Sequence, residues 1–297
     1  MTGFQTGALQ IYRAREGLKL NRAKIDAFTQ QASAAKRAYD LGTGTLTDVR
    51  DTQVKLDQAR AADLALQAKS SAADRQFAVI AGFVPQANAY PLLRDEPRLA
   101  LKPLPEYTDR VGETNPQVIL ARQSERMADL AALRAKGSML PTLSAVASRT
   151  EAAGVSANYI GLSVSYPVQV STFLQVSGAS ANADKQREQT RDTESRTRLE
   201  VARLYEAVEA GRSEVAMRLL AIRSAELAVE ANEKSFAGGV RTKVDVINSI
   251  QNLFQARDDH LSALLTLGEN LLNLHVQLAT PMDEAFRQVH SVLFLPS

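Results

Sequence analysis

An internal duplication constrains the fold of this chain more than any other feature. Residues 38–64 recur without a gap at 235–261. The shift brings identical residues together, among them Gly42 with Gly239, Thr45 with Thr242, and Asp48 with Asp245. A repeat of this kind means that one structural unit occurs twice in the chain. We therefore expect two copies of a unit in which one helix ends, the chain turns, and a second helix begins.

Each copy carries the residues that end one helix and start the next. Glycine adopts the left-handed conformation at a helix C-terminus without a steric cost, so Gly42 and Gly239 are expected there. Thr45 and Thr242 each stand three residues before an aspartate, which is the spacing of a capping box. The sequence therefore predicts four long helices, over about 7–41, 45–82, 181–237 and 242–281.

The last predicted helix has two adjacent apolar stripes. One stripe follows a heptad spacing: Ile250, Phe254, Arg257, Leu261, Leu264, Gly268, Leu271, His275 and Leu278. The second stripe comprises Leu253, His260, Leu267 and Leu274. Two adjacent seams let a helix contact neighbours on both sides, as helical bundles and tubes require.

The composition argues against several classes of function. The net charge is +2 and the charges are interspersed, so no nucleic-acid partner is predicted. There is no cysteine, which excludes disulfides and thiolate metal sites. His260, His275 and His290 are too far apart in sequence to converge on one ion within a single helix. We therefore expect no metal, no cofactor and no enzymatic activity.

The segment between the two copies mixes a connector, a short helix and a hairpin. Repeated prolines between Phe83 and Pro116 predict a connector without regular structure. Asn115 and Pro116 form a good cap and first residue for a helix that ends near Gly137. Strands are predicted at 142–150 and 158–167, with Gly154 in the intervening turn.

The second predicted strand has one apolar face. Its members are Ile160, Leu162, Val164 and Tyr166, and small residues alternate with them. About ten residues in this pattern are typical of a transmembrane β-strand, and Tyr159 and Tyr166 suit the interfacial aromatic belts. An amphipathic strand packed on a soluble core gives the same pattern, and the strand by itself favours that interpretation. No segment is apolar enough for a spanning helix, and Met1–Gly17 lacks the apolar region of a signal peptide, which taken alone favours the cytoplasm.

The two copies share a longer motif, and further landmarks lie between them. The first copy reads Tyr39-x-x-Gly42-x-x-Thr45-x-x-Asp48-Val49, followed by Leu56-x-x-Ala59-Arg60. The second copy, from Phe236 to Arg257, has the same form. The landmarks are Asn115-Pro116, the run Leu140-Pro141-Thr142-Leu143, and Tyr166-Pro167. In this order, over nearly the whole chain, these motifs resemble the TolC family of outer-membrane channel proteins, and the first copy resembles most of all its type I secretion branch.

The resemblance implies a mainly α fold. Long antiparallel coiled helices would form a tube in the periplasm, and the β-hairpin would contribute to a β-barrel in the outer membrane, in contact with its lipid. It further implies a homotrimer that forms one conduit for efflux or type I secretion. Its partners would be a periplasmic adaptor protein and an inner-membrane ABC or RND translocase.

The resemblance also places a gate at the helix breaks, at the periplasmic end. Carried over by position, the gate residues are Thr47, Asp48, Asp51, Phe236, Arg241 and Asn248. Arg241 would form a charge-assisted link to Asp48. The family usually has tyrosine at position 236 and aspartate at 248, so Phe236 cannot supply a hydroxyl, and Asp51 is the alternative source of the charged ring. For Asp48 and Asp245, simple helix capping is an alternative role, and both roles can hold together.

The two copies are unequal in length. Under the same shift Met1 corresponds to Arg198, inside a long helix of the second copy, so we expect an N-terminally truncated family member. Residues 1–114 would be an incomplete first repeat, and 115–297 a complete second repeat with its hairpin at about 142–168. A soluble or periplasmic coiled-coil interaction protein that does not conduct is the alternative function.

Overall fold

The computed structural model describes residues 2–83, 92–152, 154–166 and 170–295, with side chains from residue 7 onward. Within these ranges the helices are α1 (Thr2–Asp40), α2 (Leu46–Ala81), α3 (Leu104–Thr114), α4 (Pro116–Gly137), α5 (Val170–Ala237), α6 (Lys243–Gln277) and α7 (Met282–Leu293). The strands are β1 (Thr142–Ala152) and β2 (Val155–Ser165). Pro85 and Pro91 of the predicted connector, and the predicted hairpin end at Pro167 and Val168, lie outside the described residues. The mainly α fold class is confirmed.

The chain forms two compact units. The first contains Met1–Leu104 and Ala202–Ser297, and the second contains Pro105–Val201. In the first unit α1 packs against α2 and α6, and α7 packs against α6. In the second unit the strands pair with each other, and α4 packs against the first part of α5 through small side chains, Ala128 and Ala132 against Ala183.

The two predicted stripes of α6 supply much of the core of the first unit. The residues Ile250, Phe254, Leu264, Gly268 and Leu271 are buried, as are Leu267 and Leu274 of the second stripe. His260 and His275 are also buried: His260 Nε2 lies 2.9 Å from the Asp95 carbonyl oxygen, and His275 Nδ1 lies 3.4 Å from Thr280 Oγ1. The two histidines are therefore hydrogen-bonded packing residues. Among the residues that the structure describes, no group of acidic, histidine or cysteine side chains could hold a metal ion.

The hairpin has a defined register and an exposed apolar face. Ile160 pairs with Ala147, Leu162 with Ala145, and Val164 with Leu143. Because alternate residues of a strand share a face, these side chains lie together. The predicted apolar residues of β2 are all exposed, with Ile160 at 86% and Leu162 at 75%. Tyr159 lies on the other face, where its ring covers Gly161. The role of Tyr159 and Tyr166 in interfacial belts stays a prediction.

The structure differs from the prediction in two helices that were not expected and in two boundaries. The connector was expected to lack regular structure, but α3 occupies its last part. The long helix α5 begins at Val170, earlier than predicted, and the additional helix α7 follows Pro281. The turn of the hairpin is shorter than expected because Ala152 already pairs with Val155, with Gly154 at a φ of 83° between the strands.

The helices within the described ranges were compared with the requirements for crossing a membrane. No helix there combines the length and the apolar character that crossing a bilayer requires.

Candidate functional site at the two helix breaks

The first helix break is a tight turn built around two glycines. Gly42 has a φ of 72°, the conformation that glycine adopts at low cost. The backbone N–H groups of Thr43 and Gly44 both donate to the Ala38 carbonyl, at 2.9 and 3.0 Å. A Cβ atom on Gly44 would lie 2.9 Å from Ala38 Cβ, so the turn as it stands has no room for a side chain there.

A complete capping box starts the helix after this turn. The backbone N–H of Asp48 donates to Thr45 Oγ1 at 3.1 Å, and the Thr45 N–H donates back to Asp48 Oδ2 at 3.2 Å. The Thr45 hydroxyl also donates to the same carboxylate oxygen at 2.7 Å. The predicted capping role of Thr45 and Asp48 is confirmed.

The second break repeats the turn and the capping box of the first, although Arg241 stands at the position equivalent to Gly44. Gly239 has a φ of 73°, and the Val240 N–H donates to the Ser235 carbonyl at 2.9 Å. Thr242 caps α6: its N–H donates to Asp245 Oδ2 at 3.0 Å, and the Asp245 N–H donates to Thr242 Oγ1 at 3.3 Å. The backbone N–H of Thr242, then its hydroxyl, and to a smaller extent Arg241 hold the pKa of Asp245 below its ordinary value. The duplicated sequence therefore encodes a duplicated structure.

The breaks rest on a shared hydrophobic cluster in the first unit. It comprises Phe28, Leu56, Ala59, Val246, Ile247, Ile250 and Phe254. These residues come from α1, α2 and α6. Helix α6 joins the cluster in its first two turns, at Val246 and Ile247, whereas α2 joins it further along, at Leu56 and Ala59. Buried Asn21 adds a polar tie, because its Nδ2 donates to the Ala59 carbonyl at 3.0 Å. The helices that meet at the breaks are thus also held together by packing along their length, beyond the turns themselves.

Arg241 lies beside the cap of its own helix. Its Nη1 is 3.8 Å from Asp245 Oδ1, and the arginine side chain is more than half exposed. The described contacts of the Asp48 carboxylate are those of the capping box. The link from Arg241 to Asp48 was expected between neighbouring helix pairs, and it stays a prediction.

The other gate residues differ in exposure. Thr47 and Asn248 are exposed, and Asp51 is half-buried. Asp51 and Asn248 stand at equivalent positions of α2 and α6, six residues after each capping threonine. Their roles at an aperture stay predictions as well.

Sequence reasoning missed Lys243, the first residue of α6. Although lysine is almost always exposed, this side chain is only 7% exposed. Its Nζ donates to Gln31 Oε1 of α1 and lies 5.1 Å from the centre of the Phe236 ring. Burial lowers its pKa, and the nearby carboxylates of Glu233 and Asp48 partly offset that effect. The repeat contains a signal for Lys243, because the shift pairs it with Leu46 and so places a lysine where the other copy has a leucine. In the structure that leucine is 51% exposed.

Residues 109–279, more than half of the chain, match the model of the family described as outer membrane efflux protein.

Two curated relatives match over most of this chain. The alkaline protease secretion protein AprF of Pseudomonas aeruginosa is 25% identical over 271 residues, which cover 86% of this chain and 55% of AprF. The outer membrane protein TolC of Escherichia coli is 23% identical over 321 residues, which cover 98% of this chain and 63% of TolC. The chain thus spans just over half of the length of AprF.

Solved structures share the fold. The outer membrane protein VceC of Vibrio cholerae superimposes with a TM-score of 0.73 at 18% identity, over 93% of this chain and 69% of VceC. The arrangement of long helices and a hairpin is therefore that of these outer membrane proteins.

Proposed function

Because the chain belongs to the outer membrane efflux protein family, we propose that it is the outer-membrane channel component of a tripartite efflux or type I protein secretion system. AprF is named for protease secretion and matches most of this chain, which supports the secretion branch. In this proposal the chain lies in the outer membrane and extends into the periplasm. It makes and breaks no covalent bond, and its task is to provide a water-filled path with a gate.

The observation that carries the proposal is the pair of matching helix breaks. A gate needs helix ends that are firm locally yet can move as units, and each break combines a tight glycine turn with a complete capping box. The gate residues Thr47, Asp48, Asp51, Phe236, Arg241 and Asn248 all lie within two turns of these breaks. Two breaks per protomer would surround the aperture of an assembled tube.

The exposed face of the hairpin supports a place in lipid. Ile160, Leu162 and Val164 are exposed and share one face with Leu143. Apolar side chains in contact with water lower stability, whereas the same side chains in contact with acyl chains raise it. We assign this face, with Tyr166 at its end, to the outer-membrane lipid.

The assembly that follows is a homotrimer with two kinds of partner. A periplasmic adaptor protein and an inner-membrane ABC or RND translocase would dock at the end that carries the breaks. The repeat also gives the organisation of the chain: residues 1–114 belong to the first repeat, and 115–297 form the second repeat with the hairpin.

A double-mutant cycle tests the gate. We would measure the open fraction of single channels in planar bilayers for the parent protein, Arg241→Ala, Asp48→Asn and the double variant. Loss of one exposed ion pair is worth up to about 1 kcal/mol, so we expect the open fraction to rise up to about fivefold. The double variant should rise no further than either single variant, because the two side chains act on each other.

The capping aspartate Asp245 provides the control for this cycle. Asp245→Asn removes the partner that Arg241 has in this structure, at 3.8 Å. If Arg241 couples to Asp245 and not to Asp48, the assignment of the gate link is wrong. Recovery of the expressed protein only in soluble fractions would count against the channel and favour a coiled-coil interaction protein.

A further inference from the structure

Lys243 is buried where its duplicate is exposed. The repeat places Lys243 and Leu46 at the same point, directly after the capping threonine, yet the lysine is 7% exposed and the leucine 51%. Burying a lysine costs free energy unless its ammonium group is bonded, whereas burying leucine lowers the free energy. Hydrophobicity alone would bury the leucine and expose the lysine, and the structure has the reverse.

The Lys243 side chain contacts two other helices, α1 and α5. Its ammonium donates to Gln31 of α1 and stacks on Phe236 of α5, at 5.1 Å from the ring centre. That distance lies within the range of a cation–π interaction. The carboxylates of Glu233 on α5 and Asp48 on α2 are near enough to favour the charged form of the lysine. One side chain at the start of α6 thus joins the second break to α1 and to the last turn of α5.

Phe236 gains a role from this arrangement. A phenylalanine cannot donate or accept a hydrogen bond, but the face of its ring attracts a cation. Phe236 therefore binds the Lys243 ammonium group through its ring, although it lacks the hydroxyl of a tyrosine.

We propose that Lys243 is a positioning residue of the closed gate, which ties the second helix break to α1 through Gln31 and to α5 through Phe236. The gating role of Lys243 rests on the proposed function, whereas its contacts with Gln31 and Phe236 lie within a single chain. A buried polar link of this kind contributes geometric specificity more than stability, because an apolar residue of the same volume would pack at least as well. Opening would require the ammonium group to leave Gln31.

Spin-label distances test the tie without any transport assay. The chain has no cysteine, so labels at Asp40→Cys and Val240→Cys report on the two breaks alone. Labels at Gln10→Cys and Asn273→Cys, both exposed, report on the other end of α1 and α6. Labelled chains would be diluted with unlabelled chains so that only distances within one chain are read.

We expect Lys243→Met to shift the Asp40–Val240 distances to longer values and to broaden them, and to leave the Gln10–Asn273 distances unchanged. Lys243→Arg should restore the parent distribution, since it keeps the cation. Gln31→Glu should narrow the distribution, because it offers the ammonium a carboxylate. An unchanged distribution in Lys243→Met, or an equal shift in both label pairs, overturns the tie.

Conductance then separates the tie from the gate. If the tie holds the gate closed, Lys243→Met raises the open fraction of single channels, and Gln31→Glu lowers it. Longer distances without any change in conductance would leave the tie standing and reject the gating function. Unchanged distances would reject the tie whatever the channel does.

Discussion

At the residue scale, the two capping threonines make the same hydrogen bonds. Thr45 and Thr242 each accept an N–H and close a box with an aspartate. Replacing either by alanine leaves the first-turn N–H groups without that acceptor, which costs about 1 kcal/mol. We expect Thr45→Ala and Thr242→Ala to speed hydrogen exchange in the first turns of α2 and α6, respectively, by about fivefold.

The exposed serine at position 224, within α5 and more than three turns before its end, is the matched control. Ser224→Ala removes a hydroxyl of similar size from a helix surface, where alanine is favoured. Exchange at both breaks should not change in this variant. Equal exchange in the threonine variants and the control would mean that the boxes do not stabilise the helix ends.

The Asp245 carboxylate makes the second break sensitive to acid. Its pKa is lowered in the folded chain because the N–H and hydroxyl of Thr242 favour the charged form. A carboxyl with a lowered pKa stabilises the fold above its unfolded pKa, about 3.9, and that contribution is lost as the pH falls through the lower, folded value. The stabilisation by Asp245 should therefore be full at neutral pH and disappear only in strong acid.

Carboxyl NMR titration checks this prediction. Thr242→Val removes the hydroxyl but keeps the backbone N–H, so the pKa of Asp245 should rise part of the way to its ordinary value. A pKa that does not move would assign the whole effect to the backbone. A pKa of Asp245 at the ordinary value in the parent protein would contradict the structure.

At the element scale, sequence patterns predicted the parts that depend on local chemistry. Glycine at positive φ, threonine before aspartate, and the two stripes of α6 are local signals, and the structure has all three. Helix α3 was missed because Pro103 and Pro105 suggested a connector, yet Pro105 falls in the first turn of α3, where proline is tolerated. Helix α7 was missed although Ala285, Val289 and Val292 are spaced as one buried face.

The elements that could not be predicted depend on contacts between distant parts of the chain. The first turns of α5 contain Ser171, Thr172 and Gly178, which have low helix propensity, so its early start at Val170 has no strong local signal. The burial of Lys243 depends on Gln31, which lies far away in sequence. A single sequence contains the repeat that would point to Lys243, but not the side chain that receives it.

The two faces of the hairpin give an element-scale prediction. Leu162 and Ser163 are neighbours on β2 that lie on opposite faces. If the apolar face meets lipid, Leu162→Arg should cost about 2–4 kcal/mol near the bilayer midplane and deplete the protein from the membrane fraction. Ser163→Arg should be tolerated on the other face. Equal membrane recovery of the two variants would contradict the assignment of the lipid face.

At the scale of the whole molecule, an exposed stripe on α5 predicts contact with another protomer. Met217, Leu220 and Leu227 are each at least half exposed and are spaced as one helical face. An apolar stripe on a long helix is typical of a surface that packs on a further helix. The predicted tube gives each helix neighbours on both sides, and a trimer would provide the missing neighbour here.

Leu227→Lys should therefore weaken the trimer, because it brings a charge into the interface and removes leucine burial worth about 1.5–3 kcal/mol. Leu227→Met is the control at the same position, since it keeps the apolar volume. Native mass spectrometry in detergent would show three copies of the 32.3 kDa chain for the parent and for Leu227→Met, and mainly single copies for Leu227→Lys. A trimer that survives Leu227→Lys would mean that this stripe faces the solvent, and the contact between protomers would then have to use another face of the helices.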